Sequence, residues 1–170
     1  MTLLTGLPLA IPLAIIPSIG WIVVYRYLDS REPEPLSTSC LAFLFGAFST
    51  LPVFFIQYLF STYPDFNLVS LLSKSLSNPL FLNIAFLIFV GLIEELVKAS
   101  ALVLIVKRRE KDFNQLVDGI VYGAIVGAGF GLAENIYYFY KALEAFELSS
   151  SILAVFMIRS FGTLLAHPLF

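Results

Sequence analysis

Five apolar runs dominate the chain, and its polar residues gather in the short stretches between them. The runs cover roughly 3–25, 38–60, 79–105, 116–140 and 150–170. Each approaches the ~20 residues that a helix needs to cross a ~30 Å hydrocarbon core. The pattern predicts an all-α fold, a polytopic transmembrane helix bundle of about five spans forming one integral-membrane domain over 1–170. The third run is long for a straight crossing, which implies a tilt or a break near its centre. Pro8, Pro12 and Pro17 should kink or unwind the first run, which membranes tolerate where neighbours satisfy the freed backbone. The connection STYPDFNLVSLLSKSLSN, 61–78, has room for a short interfacial helix. The first run lacks a basic leader and is too long for a signal peptide, so it reads as a retained span.

Composition agrees with that pattern and adds an orientation. Of 170 residues, 59% are hydrophobic and 13% charged, against about 25% charged in an ordinary soluble domain. Mean hydropathy is +0.90. Arg26, Arg31, Lys107, Arg108, Arg109 and Lys111 follow the first and third runs, while only Lys74 and Lys141 fall on the opposite side. By the positive-inside rule the N-terminus is external and the 26–37 and 106–115 loops are cytoplasmic. The expected location is an integral membrane one, the cytoplasmic membrane if the source is bacterial, with the lipid bilayer as the first partner. A net charge of −2 and the lack of a basic stripe give no footprint for nucleic acid. Cys40, the single cysteine, excludes an intramolecular disulfide and reads as a small buried side chain.

The ionisable residues inside the runs change the picture most. Each costs about 2.5 to 3.5 kcal/mol even on the insertion scale, so such groups gather around a polar interior. Here they are Glu94, Glu95 and Lys98 in the third run, Glu134 in the fourth, and Arg159 and His167 in the fifth. Lys98 follows Glu94 by four residues and Glu95 by three, so on a helix it can reach either. The two glutamates lie ~100° apart around the axis, which leaves one to pair with lysine and the other to face a cavity. A carboxylate so placed suits general acid–base work; a Glu–Lys pair that only locks packing is the plainer alternative. Arg159 and His167 are eight residues apart and share roughly one face, with Arg159 a counter-ion for a carboxylate. Gly123, Gly127 and Gly131 recur every four residues, a small-residue stripe that lets another helix approach. Its expected effect is to bring Glu134 and Asn135 close to the third run. Asp118 stands where a helix cap would.

Several pieces in this order resemble the PrsW family of intramembrane proteases, within the superfamily of CAAX prenyl endopeptidases and bacteriocin-processing membrane enzymes. They are DSREPEP at 29–35, EELVK at 94–98, DGIVYGAIVGAGFGLAEN at 118–135 with its FxxxEN from Phe130 to Asn135, and RSFGTLLAHPLF at 159–170. The resemblance implies hydrolysis of a peptide bond within the membrane. It also implies a membrane-anchored protein substrate, such as a single-span anti-sigma factor. The motif residues carry over as Glu94, Glu95, Glu134 and His167. By that analogy Glu94 activates water, Glu95 pairs with Lys98, Glu134 helps to hold the water, and His167 polarises the scissile carbonyl or stabilises its oxyanion. Lys98, Asn135 and Arg159 support the site. The CAAX branch has histidine where this chain has Glu134. The family also implies further spans beyond Phe170. This glutamic-type reading needs no cofactor. The alternative places a divalent metal such as zinc on Glu94, Glu134 and His167, although no HExxH motif is present and zinc favours more nitrogen or sulfur ligands. A proton- or ion-coupled transporter using the same acids is the non-enzymatic alternative, and the lack of an inverted second half argues against it.

Overall fold

The computed structural model describes residues 3–28, 33–63, 68–74, 78–146, 150–163 and 166–167. Helices account for nearly all of them, and no strand occurs among the described residues. In chain order they are α1 (Leu3–Leu28), α2 (Leu36–Phe48), α3 (Thr50–Thr62), α4 (Leu68–Ser73), α5 (Pro79–Arg108), α6 (Leu116–Phe146) and α7 (Ser150–Met157). A turn of 3-10 helix at Glu110–Asp112 joins α5 to α6, and a π-helical stretch, Ile158–Thr163, continues α7. Four segments are long and apolar enough to cross a membrane: Gly6–Tyr27, Leu36–Phe60, Pro79–Arg108 and Leu116–Ala145. The fifth predicted span is a shorter apolar helix, Ser151–Gly162. The 61–78 connection holds α4, and Arg31 and the start of the 29–35 motif lie outside the described residues.

Local chemistry explains where the helices hold and where they break. α1 runs unbroken through Pro8, Pro12 and Pro17, so the expected unwinding does not occur. Each ring deletes only one backbone donor, and the packing face of α1 is a different one. Gly6, Ala10, Ala14 and Ser18 recur every four residues and are buried, the first three against α6. The second span does break, at Ser49, between α2 and α3. Pro52 lacks the N–H that would bond Phe48, while Ser49 Oγ and Thr50 Oγ1 donate to the Gly46 and Ala47 carbonyls, both at 2.7 Å. α5 starts on Asn78, whose side chain accepts from Leu80 N at 2.9 Å, with Pro79 at the first helical position. It stays continuous for 30 residues through Glu94, Glu95 and Lys98, so the break expected at its acidic centre is absent. Glutamate and lysine are good helix formers, and their cost here is solvation, not backbone geometry.

α6 is the central helix. Ala10 and Ala14 of α1 pack on its Phe139 and Leu143. Ala42 of α2 and Ala101 and Ile105 of α5 pack on Tyr122, Ile125 and Val126. The closest approach is between α2 and α6, where a Cβ on Gly46 would land on the Val126 carbonyl and one on Gly129 on the Phe43 carbonyl. Small residues therefore set that crossing, at positions outside the Gly123–Gly127–Gly131 stripe. Gly127 and Gly131 are buried, whereas Gly123 looks toward α5, with Leu102 Cδ2 3.8 Å from where its Cβ would be. α5 is peripheral, and its buried positions are Lys98, Ala101 and Ile105. Cys40 is exposed, contrary to expectation. The buried face of α2 is Thr38, Ser39, Ala42 and Gly46, and residue 40 falls on the opposite side, where a weakly polar thiol suits a lipid-facing surface.

A polar clamp holds the ends of α1, α2, α5 and α6 together. Glu34, at the end of the 29–35 motif and buried, accepts from Tyr122 Oη of α6. Asp118 accepts from the backbone N–H groups of Asn114 and Gln115, each at 2.8 Å. Thr38 Oγ1 donates to Asp112, and Arg26 donates to Ser39 Oγ at 2.7 Å. The described part of the proline-acid motif is thereby tied, through Glu34, to Tyr122 near the start of α6.

Candidate active site

Halfway along α5 and just past the middle of α6, the ionisable residues meet. One turn of α5 presents Glu94, Glu95 and Lys98. Lys98 Nζ is buried and pairs with Glu95 Oε1, and it lies 3.4 Å from the His167 carbonyl. Nζ also stands 5.4 Å over the Phe130 ring, whose own centroid is 5.2 Å from that of His167. The phenylalanine of FxxxEN thus forms the apolar wall that both the lysine and the histidine press against.

Glu134 of α6 anchors a second group. Its Oε2 accepts from Arg159 at 2.7 Å and lies 3.0 Å from His167 Nε2. Arg159 Nε donates to Asn135 Oδ1 at 2.6 Å, and its guanidinium stacks 3.9 Å from the Tyr138 ring. The π-helical stretch carries Arg159, and Trp21 Nε1 of α1 ties that stretch down by donating to the Ser160 carbonyl at 2.9 Å. Wide turns of this kind are frequent at functional sites. Asn135 is fully buried, and its Nδ2 has no partner among the described residues.

His167 connects the two groups: its backbone carbonyl faces Lys98 and its ring faces Glu134. Glu94 differs from the other two carboxylates. No hydrogen bond or ion pair engages it among the described residues, yet it lies within electrostatic range of Glu134, His167, Lys98 and Glu95. The structure therefore brings Glu94, Glu95, Lys98, Glu134, Asn135, Arg159 and His167 into one neighbourhood. Sequence reasoning missed Tyr138, although it lies four residues beyond Glu134 and so on the same face. A cavity of about 540 Å³ opens between α5 and α6, with Glu95, Lys98 and His167 in its wall. Glu94 is not part of that wall.

Among the described residues no three His, Cys, Asp or Glu side chains converge as a metal-ligand set. Glu134 Oε2 is taken by a guanidinium and an imidazole, and Glu95 by an ammonium. A cation placed on Glu134 Oε2 would meet Arg159 at 2.7 Å from the same oxygen, so that oxygen could join a metal site only by giving up the guanidinium.

Residues 34–170 match the profile described as PrsW family intramembrane metalloprotease. Among individual proteins, the chain is 33% identical over 114 residues to a Protease PrsW of Oceanobacillus iheyensis, covering 67% of this chain and 46% of that one. It is 33% identical over 122 residues to a Protease PrsW of Geobacillus kaustophilus, covering 72% and 48%. With a Protease PrsW of Clostridioides difficile it shares 30% identity over 158 residues, covering 93% and 60%. The chain thus spans about half the length of the first two relatives. No solved structure matches it significantly.

Proposed function

The chain belongs to the PrsW protease family, and from that premise we propose that it is an intramembrane endopeptidase. In this reading it hydrolyses a peptide bond of a membrane-anchored protein, a single-span anti-sigma factor being the type of substrate expected. The observation that carries the mechanism is the division of labour among three carboxylates. Glu95 is committed to Lys98 and Glu134 to Arg159, while Glu94 has no partner among the described residues. An uncommitted carboxylate beside a histidine is the group free to take a proton from water. Glu94 therefore acts as the base, and the proton it gains goes to the departing amine.

Glu134, ionised and held by Arg159, can only accept hydrogen bonds, so His167 Nε2 carries the proton between them. That leaves Nδ1 of the ring, in its protonated form, to face the oxyanion that develops on the scissile carbonyl. Removing one such donor typically costs 10²–10³ in rate. Glu134 Oε1 remains to steady the attacking water. Lys98 holds Glu95 and the His167 backbone in register and so acts as a positioning residue. No metal takes part in these steps. A second reading exchanges the glutamates, because Glu95 and not Glu94 lines the cavity. The side bearing Arg26, Lys107 and Lys111 is proposed to be cytoplasmic.

The test uses purified protein in detergent with a single-span substrate. Glu94→Gln should lower cleavage by at least about 10³-fold without lowering the melting temperature, since it breaks no bond. Glu95→Gln should lower the melting temperature as well, because it frees Lys98. Full activity of Glu94→Gln with loss only in Glu95→Gln would exchange the roles. Cleavage unchanged in both variants, in Glu134→Gln and in His167→Ala would end the protease mechanism, and activity abolished by exhaustive chelation and restored by zinc would replace it with the metal version.

A further inference from the structure

The cavity between α5 and α6 extends well beyond the groups that the mechanism uses. Its walls run along α5 from Leu92 to Leu102 and along α6 from Gly119 to Val126. Ten residues of helix advance about 15 Å. At its mouth Leu92, Leu96 and Ile120 are 58%, 65% and 69% exposed, so the opening faces the surroundings of the bundle and, in a bilayer, the lipid. Its inner end is Glu95, Lys98 and His167. The α6 wall is unusually low. A Cβ on Gly119 would meet nothing within 4 Å, and one on Gly123 would meet only Leu102 Cδ2 at 3.8 Å. Close helix packing does not account for these two glycines, in contrast to Gly46 and Gly129.

Resting on the protease reading, we infer that this cleft receives the flank of the substrate chain next to the scissile bond, in extended form, and that Gly119 and Gly123 set the size of side chain it admits. Extended backbone advances about 3.3 Å per residue, so 15 Å holds four to five residues. A helical substrate would keep its carbonyls bonded within the helix, and non-helical backbone inside a membrane is tolerated where protein walls enclose it. Of the polar groups in the wall, Lys98 is paired with Glu95 and the His167 ring with Glu134, and the other lining residues are apolar or glycine. The occupant is therefore an uncharged, largely apolar segment with a bulky residue opposite the glycines.

The experiment uses the full chain in liposomes with a single-span substrate carrying Ala, Phe or Asp at successive positions on each side of the cut. The parent protein should accept Ala and Phe and reject Asp at the positions that lie in the cleft. Gly123→Leu should reduce cleavage of the Phe substrate at one position by about 10-fold or more, a pocket-sized discrimination, and leave the Ala substrate nearly unchanged. Gly119→Leu, whose Cβ would meet nothing within 4 Å, should do the same at an adjacent position. A folded Gly119→Leu that keeps the parent's Phe-to-Ala ratio overturns the inference, as does equal loss on both substrates, the result expected if a lipid chain or another helix fills the cleft. Crosslinking separates docking from hydrolysis. Ile120→Cys with Cys40→Ser should form a disulfide with a cysteine in the substrate flank, and should still do so after Glu94→Gln. A parent protein that forms this crosslink but cleaves nothing overturns the protease reading alone, and cleavage without any crosslink along the flank overturns the cleft.

Discussion

Replacing Arg159 by methionine tests how the second carboxylate is held. Arg159 Nη2 lies 2.7 Å from Glu134 Oε2, and both side chains are less than 15% exposed. At an effective dielectric of ~20, that separation is worth about 6 kcal/mol of Coulomb attraction. Desolvation of both ions offsets part of it, and breaking one partner of a buried pair costs about 3–5 kcal/mol. Arg159→Met also removes the stack on Tyr138 and the donor to Asn135 Oδ1, leaving a fully buried amide with neither end bonded to the arginine. Glu134→Gln alone leaves a buried guanidinium facing a neutral amide. The double variant removes both charges together, so it should be less destabilised than the sum of the singles by about 2 kcal/mol or more, within the coupling range seen for contacting residues. Equilibrium unfolding of the four proteins in mixed micelles measures this. Arg159→Lys should fall between parent and methionine, because an ammonium cannot bridge Glu134 and Asn135 as the planar fork does. Singles that add to the double within about 0.5 kcal/mol would refute the pairing as a stabilising unit.

Other consequences follow from the packing. Gly129→Ala forces a methyl onto the Phe43 carbonyl and should cost about 1–3 kcal/mol or more, whereas Gly119→Ala should be neutral or gain about 0.5–1 kcal/mol of helix propensity; thermal melts in detergent distinguish them. Tyr122→Phe removes a buried donor to Glu34 and should cost about 1–3 kcal/mol, with slower cleavage if the clamp sets the depth of α6. A cysteine in place of Lys111, with Cys40 replaced by serine, should react with a membrane-impermeant maleimide only from the cytoplasmic side, and reaction from outside would invert the proposed orientation.

The helical architecture was legible because a bilayer leaves the backbone few options. Apolar runs near twenty residues predict spans, and four long apolar helices occur where such runs stand. The break at Ser49 was readable in principle from Pro52, but hydropathy averages over it. The continuity of α1 was harder to foresee, since proline positions say nothing of which face packs. That face is fixed by Gly6, Ala10 and Ala14 meeting α6, a tertiary fact. The glycines of α6 show the same division. Periodicity singled out Gly123, Gly127 and Gly131, while backbone contact with α2 falls at Gly129, off that stripe. A spacing rule identifies a smooth face without saying whether a helix or a cavity lies opposite.

The same distinction governs the acid pair. Helical spacing allowed Lys98 to reach either Glu94 or Glu95, and nothing within α5 could choose between them. In the folded chain Lys98 pairs with Glu95, and its Nζ also lies 3.4 Å from the carbonyl of His167, 69 residues away in sequence. The His167 ring meanwhile reaches Glu134, so one residue meets Lys98 through its backbone and Glu134 through its side chain. Removing the His167 side chain should therefore disturb Glu134 but leave the Lys98–Glu95 pair in place, because Lys98 meets the backbone and not the ring. His167→Ala combined with Glu95→Gln should then show additive losses of stability within about 0.5 kcal/mol, while His167→Ala combined with Glu134→Gln should not. Coupling in the first pair would mean that the ring, not the backbone carbonyl, orients the lysine.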